Sequence, residues 1–137
     1  MNAQLSWISR LLLAGIFILS GFNKISGFAG MTQFLGGKLG WPAPGLWLTL
    51  AILFELPGGL ALLLGFRTRL ASLALIVFTL AATIFVHGAF LSAAADAAAK
   101  QDQMVHILKN IAIIGGLLKY YLDGAGRFAI DREPAGA

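Results

Sequence analysis

Apolar residues fill four long runs of this chain, at about residues 5–27, 46–65, 70–90 and 104–122. Each run approaches the ~20 mostly apolar residues that a helix needs to cross the hydrocarbon layer of a bilayer. The first is densest from Leu11 to Phe22. No A-x-A cleavage site follows it and three more runs do, so it reads as a retained span rather than a signal peptide. The stretch 28–45 contains Gly36, Gly37, Gly40, Pro42 and Pro44, which oppose one continuous helix. It reads as a loop, with room in MTQFLGG for a short interfacial helical turn. Trp41 and Trp47 at the entry to the second run suit the headgroup level. The link 65–69 is so short that the second and third helices must be antiparallel neighbours. SAAADAAAKQDQ, residues 92–103, predicts an extramembrane helical extension or interfacial segment. Asp123 to Gly126 ends the last run. The pattern predicts an all-α polytopic membrane protein: one domain, 1–137, folded as an antiparallel four-transmembrane-helix bundle.

Composition agrees. Of 137 residues, 58% are hydrophobic and 12% charged, against roughly 25% charged in soluble domains. Mean hydropathy is +0.83. The absence of cysteine excludes disulfides and thiol chemistry by this chain alone. The net charge of +4 comes from scattered Lys and Arg, which argues against nucleic-acid binding and for contact with the lipid bilayer. With four spans, Arg10, Arg67, Arg69, Lys119, Arg127 and Arg132 share one side, opposite Lys38 and Lys100. The richer side predicts cytoplasmic N- and C-termini.

Polar residues within the runs carry the candidate chemistry, because a charge at mid-bilayer costs about 2.5–3.5 kcal/mol on insertion scales. Antiparallel topology brings Asn23, Lys24, His87, His106, Lys109 and Asn110 to the outer half. Glu55 lies about 12 Å into its span at 1.5 Å per residue. Ser20, Asn23, Lys24 and Gly27 share one helical face, as do Thr79, Thr83 and His87, and His106, Lys109, Asn110 and Ile113. Together they predict a polar pocket opening outward and floored by Glu55. Asn23, Lys24, Lys109 and Asn110 are candidate ligand-binding residues, and Glu55 and His87 a candidate catalytic proton relay. Equally open is a structural reading, in which Glu55 pairs with Lys24 or Lys109 to fix helix register. Gly58, Gly59, Gly115 and Gly116 are read as packing positions, and Arg67 and Arg69 as inside anchors. Two distant histidines and one glutamate make no metal site. The Gly-Gly-Leu shared by spans two and four hints at a duplicated hairpin, though chance explains it as well.

LLLAGIFILSGFNKISGFAG (11–30), FELPGGLALLLGFRTRLASLAL (54–75), ATIFVHGAF (82–90) and LKNIAIIGGLLKYYLDGAGRFAID (108–131) together resemble the DoxX family of small bacterial inner-membrane proteins. The S-G-x-x-K, E-x-x-G-G, G-x-x-T-R and K-N elements, with the G-x-G tail, are weak singly and specific in this order. Lys24, Glu55, Gly58, Gly59, His87, Lys109 and Asn110 are the positions carried over. GGKLGWPAPG departs from the shorter linker expected of that family. The resemblance implies a four-helix bundle in the bacterial inner membrane, often tied to redox or sulfur-oxidation systems. It fixes no reaction.

Two functions compete. One is a quinone-linked oxidoreductase subunit in a sulfur or oxidative-stress system, with no intrinsic cofactor and a quinone as the molecule the pocket would take. The other is a non-catalytic anchor or assembly module for a redox complex, docking through 92–103. A homodimer is open in either case. A transporter is less favoured, since Pro57 and the Gly pairs are the main signs of a broken helix.

Overall fold

The computed structural model describes residues 2–131. All regular elements among them are helical: α1 (Ala3–Ser26), α2 (Phe28–Lys38), α3 (Pro44–Leu64), α4 (Thr68–Ala81), a π-helical segment (Ala82–His87), α5 (Gly88–Ala93) and α6 (Ala97–Asp123). Arg132, counted above for orientation, lies outside the described residues. Three helices are long and apolar enough to cross a membrane: Ala3–Ser26, Pro44–Leu64 and the unbroken Thr68–Ala93. The 27-residue α6 spans about 40 Å at 1.5 Å per residue, but it carries His106, Lys109, Asn110 and Lys119.

Packing runs in a chain: α1 lies chiefly on α3, α3 on α4, and α4 on α6. Ala14, Phe17, Leu62, Leu75, Ile76, Leu117 and Tyr120 form the central core. A Cβ at Gly59 would fall 3.0 Å from Ile18, one at Gly58 2.9 Å from Leu75, and one at Gly116 3.3 Å from Leu13. These glycines therefore let neighbouring helices close up, whereas a Cβ at Gly115 would meet nothing within 4 Å. The distribution of polarity is that of a lipid-embedded protein. Leu12, Leu19, Leu53, Ile84 and Leu122 are exposed, while Ser6, Arg10, Glu55, Thr68, Ser72, Thr79 and Asn110 are buried. Lipid can solvate the former and cannot satisfy the latter.

Two segments differ from the sequence reading. Residues 28–38 form a helix rather than a loop. Gly27 redirects the chain after α1 but accepts from Met31 N at 2.9 Å, so helical pairing resumes at once. Gly36 and Gly37 sit in the last turns of α2, where their conformational freedom costs least. The Ala-rich stretch is not one extension. It breaks at 94–96, and Asp96 caps α6 by accepting from Ala99 N at 2.8 Å.

The end that carries the N-terminus is closed by a polar clamp. Arg10, with no exposed surface, donates to Leu63 O (3.1 Å), to Arg127 O and to Phe128 O. Ser6 Oγ donates to Ala125 O at 3.0 Å, and the Tyr120 hydroxyl lies against Ser9 Oγ and Ser6 O. The tail returns across the α3–α4 turn, with Ile130 N on Leu64 O (3.0 Å) and Asp131 N on Gly65 O (2.7 Å). Both Gly65 and Arg67 there have positive φ, a conformation that disfavours the arginine. Asp131 offsets that cost: its carboxylate accepts from Arg67 N, Thr68 N (each 2.8 Å) and Thr68 Oγ1 (2.9 Å), capping α4.

Burial pushes the Asp131 carboxyl up, but the hydrogen bonds from Thr68 and Arg67 outweigh it and hold the group below its ordinary value. A lowered folded-state pKa contributes stability that is fully present above the unfolded value and is lost as pH falls through the folded one. Asp131→Asn is expected to lower unfolding stability in detergent by about 0.5–2 kcal/mol at neutral pH, the range for loss of a helix cap. The gap between wild type and variant should close as the pH falls through the lowered Asp131 pKa; a gap independent of pH would contradict the charged cap.

Candidate functional site

The opposite, distal half of the bundle holds two further sets of polar side chains. Ser20 and Lys24 stand one turn apart on the same face of α1, and Glu55 lies midway along α3. Because α1 and α3 are antiparallel neighbours, the end of one meets the middle of the other. Lys24 Nζ donates to Ser20 Oγ at 2.6 Å and lies 2.8 Å from Glu55 Oε2. The contact is ionic rather than well aligned, since the buried Oε2 meets no donor in hydrogen-bonding geometry among the described residues. The pair is asymmetric: the Glu55 side chain is 5% exposed and that of Lys24 18%. Thus Glu55 is the more enclosed member of the pair and the Lys24 side chain the more exposed.

A second polar group joins α4, the π-helical segment and α6. Thr79 Oγ1 donates to Leu75 O and Thr83 Oγ1 to Thr79 O, each at 2.7 Å. Asn110 Nδ2 donates to Thr83 Oγ1 at 2.9 Å. One turn nearer the distal end, His87 Nδ1 meets Gln103 Oε1 at 3.0 Å. The Gln103 amide nitrogen is turned toward Asp102 Oδ2 (3.3 Å), so its oxygen faces the imidazole. That arrangement assigns the His87 proton to Nδ1 and leaves Nε2 an acceptor when the ring is neutral. The His87 and His106 rings stack with centroids 4.9 Å apart. His87 lies at the end of the π-helical segment, whose wider turn is often found at functional sites.

Of the candidates read from the sequence, the fold pairs Lys24 with Glu55 and places Asn110 and His87 in the second group. Asn23 and Lys109 are exposed. No hydrogen bond or ion pair joins the two groups among the described residues, and two hollows there, of about 560 and 420 Å³, are lined by none of Lys24, Glu55, His87 and Asn110. Gln103 was not singled out from the sequence. Its signal was present: Gln103, His106 and Asn110 fall at i, i+3 and i+7 on one face of α6.

These features describe a helical membrane protein with an apolar exterior and a charged pair held inside. The DoxX family profile matches residues 5–88, and the chain belongs to the DoxX family. It is similar to two proteins of Escherichia coli (strain K12). Inner membrane protein YqjF is 37% identical over 125 residues, covering 91% of this chain and 88% of the relative. Inner membrane protein YphA is 33% identical over 126 residues, covering 92% and 87%. No solved structure matches. The chain is an integral protein of the bacterial inner membrane.

Removing one partner of a buried ion pair strands the other charge, typically at a cost of about 3–5 kcal/mol. Lys24→Met is therefore expected to destabilise strongly. Glu55→Gln should cost less, because the Lys24 side chain is partly exposed and long enough to snorkel. The double variant should recover most of the Lys24→Met loss. Chemical denaturation of all four proteins completes the cycle, and simple additivity would deny the coupling.

Proposed function

We propose that this is a four-span inner-membrane protein with cytoplasmic termini, acting as a quinone-linked subunit of a redox system. The fourth span is α6: it is long enough, and its buried Asn110 is answered by Thr83, so that polar group need not meet lipid. The richer Lys and Arg content of the clamped end supports the orientation.

The observation that carries the redox reading is the asymmetric Lys24–Glu55 pair in the outer half. Quinones dissolve in the bilayer and can approach from its side. Leu19, Phe22 and Ile25 on α1 and Leu50, Leu53 and Phe54 on α3 are exposed, giving both helices apolar outer faces along which the ring and tail can travel. The Lys24 ammonium donates a hydrogen bond to a quinone carbonyl, and Glu55, 2.8 Å from Nζ, holds it in place. His87 Nε2 supplies a second proton acceptor in the same half of the bundle. Electrons pass to or from a partner subunit, consistent with a chain that has no cysteine.

Wild type, Lys24→Met and Glu55→Gln, purified with native lipid, test this by native mass spectrometry after addition of a short-chain benzoquinone. Saturable binding by the wild type, lost in Lys24→Met and weakened in Glu55→Gln, is expected. No saturable binding to wild type would refute it. One observation favours the second reading, an assembly module: neither the 560 Å³ nor the 420 Å³ hollow is lined by Lys24 or Glu55. On that reading the pair fixes register, and both variants lose stability without any change in quinone retention.

A further inference from the structure

A hollow of about 420 Å³ opens at the distal end between α2, α5 and the first turns of α6. Phe34 and Phe90 line it and stack with centroids 5.2 Å apart. Ala94, Ala95 and Ala99 keep it open by being small. Its two charged lining groups have opposite signs and come from different helices. Lys38, at the end of α2, lies over the Phe34 ring at 5.3 Å and has no acidic partner among the described residues. Asp102, on α6, makes both of its contacts through Oδ2, to the Gln103 amide and, at 3.8 Å, to His106. Its Oδ1 is left for another donor.

The depth of this hollow is set by the helices around it. It includes Ala93, the last residue of the spanning helix Thr68–Ala93, and so lies where acyl chains give way to headgroups. A ligand fitting it carries an anion for Lys38, a hydrogen-bonding cation for Asp102, and apolar substance for the phenylalanines. We propose that this hollow seats the headgroup of a phospholipid bearing both a phosphate and a primary ammonium, that is, a phosphoethanolamine lipid. The phosphate meets Lys38, the ammonium donates to Asp102, and the glycerol and first methylenes lie against Phe34 and Phe90. A purely anionic headgroup would satisfy Lys38 but repel Asp102. A trimethylated ammonium carries the right charge but has no N–H to donate. Gln103 bonds to both Asp102 and His87, so the lipid site borders the second polar group. The site does not depend on the quinone reading.

The test uses the full chain in nanodiscs with equal parts of phosphatidylethanolamine, phosphatidylcholine and phosphatidylglycerol of matched acyl chains. Lipids retained on release are counted by native mass spectrometry. Wild type is expected to retain phosphatidylethanolamine about five- to tenfold over either competitor, the order of one ordinary net hydrogen bond. Asp102→Asn should abolish its preference over phosphatidylcholine. Lys38→Gln should weaken retention of both zwitterionic lipids. Ala95→Leu, which fills the hollow without changing charge, should remove the preference while circular dichroism stays helical. Equal retention of the three lipids by wild type, preference for phosphatidylglycerol, or an ethanolamine preference unchanged in all three variants would overturn the proposal.

Discussion

Arg10 has no exposed surface, and in an apolar layer its guanidinium can be held only by groups the chain itself delivers. Three carbonyls do so: one from the last turn of α3 and two from the tail after α6. Those elements are far apart in sequence, so satisfying one side chain brings together the ends of three helices. The neighbouring geometry follows from it. The tail must return over the α3–α4 turn, Gly65 and Arg67 adopt positive φ to make that turn tight, and Asp131 arrives in position to cap α4. An arginine with so many partners is a structural fastener, and its positive charge is not available to a ligand.

The distal half meets the same constraint with fewer connections. Glu55 has one ionic partner, Lys24, which is itself partly open. Asn110 and His87 are answered by a hydroxyl and an amide rather than by charges. A buried carboxylate balanced by an ammonium at the edge of the bundle can change its interactions when a ligand arrives; a guanidinium shared among three carbonyls cannot do so without opening the fold. The contrast between a closed terminal end and a looser distal end is the physical reason for placing function in the distal half.

Much of this was legible in the chain. The first three hydrophobic runs match long helices to within about three residues, the fourth helix starts seven residues earlier than its run, and antiparallel topology brought Glu55 within reach of Lys24 or Lys109, of which the fold selects Lys24. Other features depend on tertiary context. Arg10 enters the sequence reading only as one of the positive charges on one side, because nothing local shows that a tail more than a hundred residues later will cover it. Residues 28–38 look like a loop because Gly36, Gly37, Gly40, Pro42 and Pro44 weigh against one continuous helix, yet α2 packs on α3, keeps Gly36 and Gly37 in its last turns and ends before the other three. Periodicity put Lys109 on a face with Asn110, but neighbours on a helix differ by 100° in direction, and only Asn110 turns inward. The π-helical segment before α5 leaves no mark in the hydropathy pattern, since a wider turn changes hydrogen-bond partners rather than residue polarity.

The central claim is that the Lys24–Glu55 pair responds to a quinone headgroup rather than merely fastening α1 to α3. The most direct measurement is the infrared difference spectrum of the protein in lipid on addition of a short-chain benzoquinone, with Glu55→Gln as the control. The expected result is a perturbed carboxylate band in the wild type that is missing in the variant, because a new acceptor at Lys24 alters the ammonium's hold on Glu55. A wild-type spectrum with quinone bound and no carboxylate change would contradict the claim and leave the pair as a structural bond between two helices.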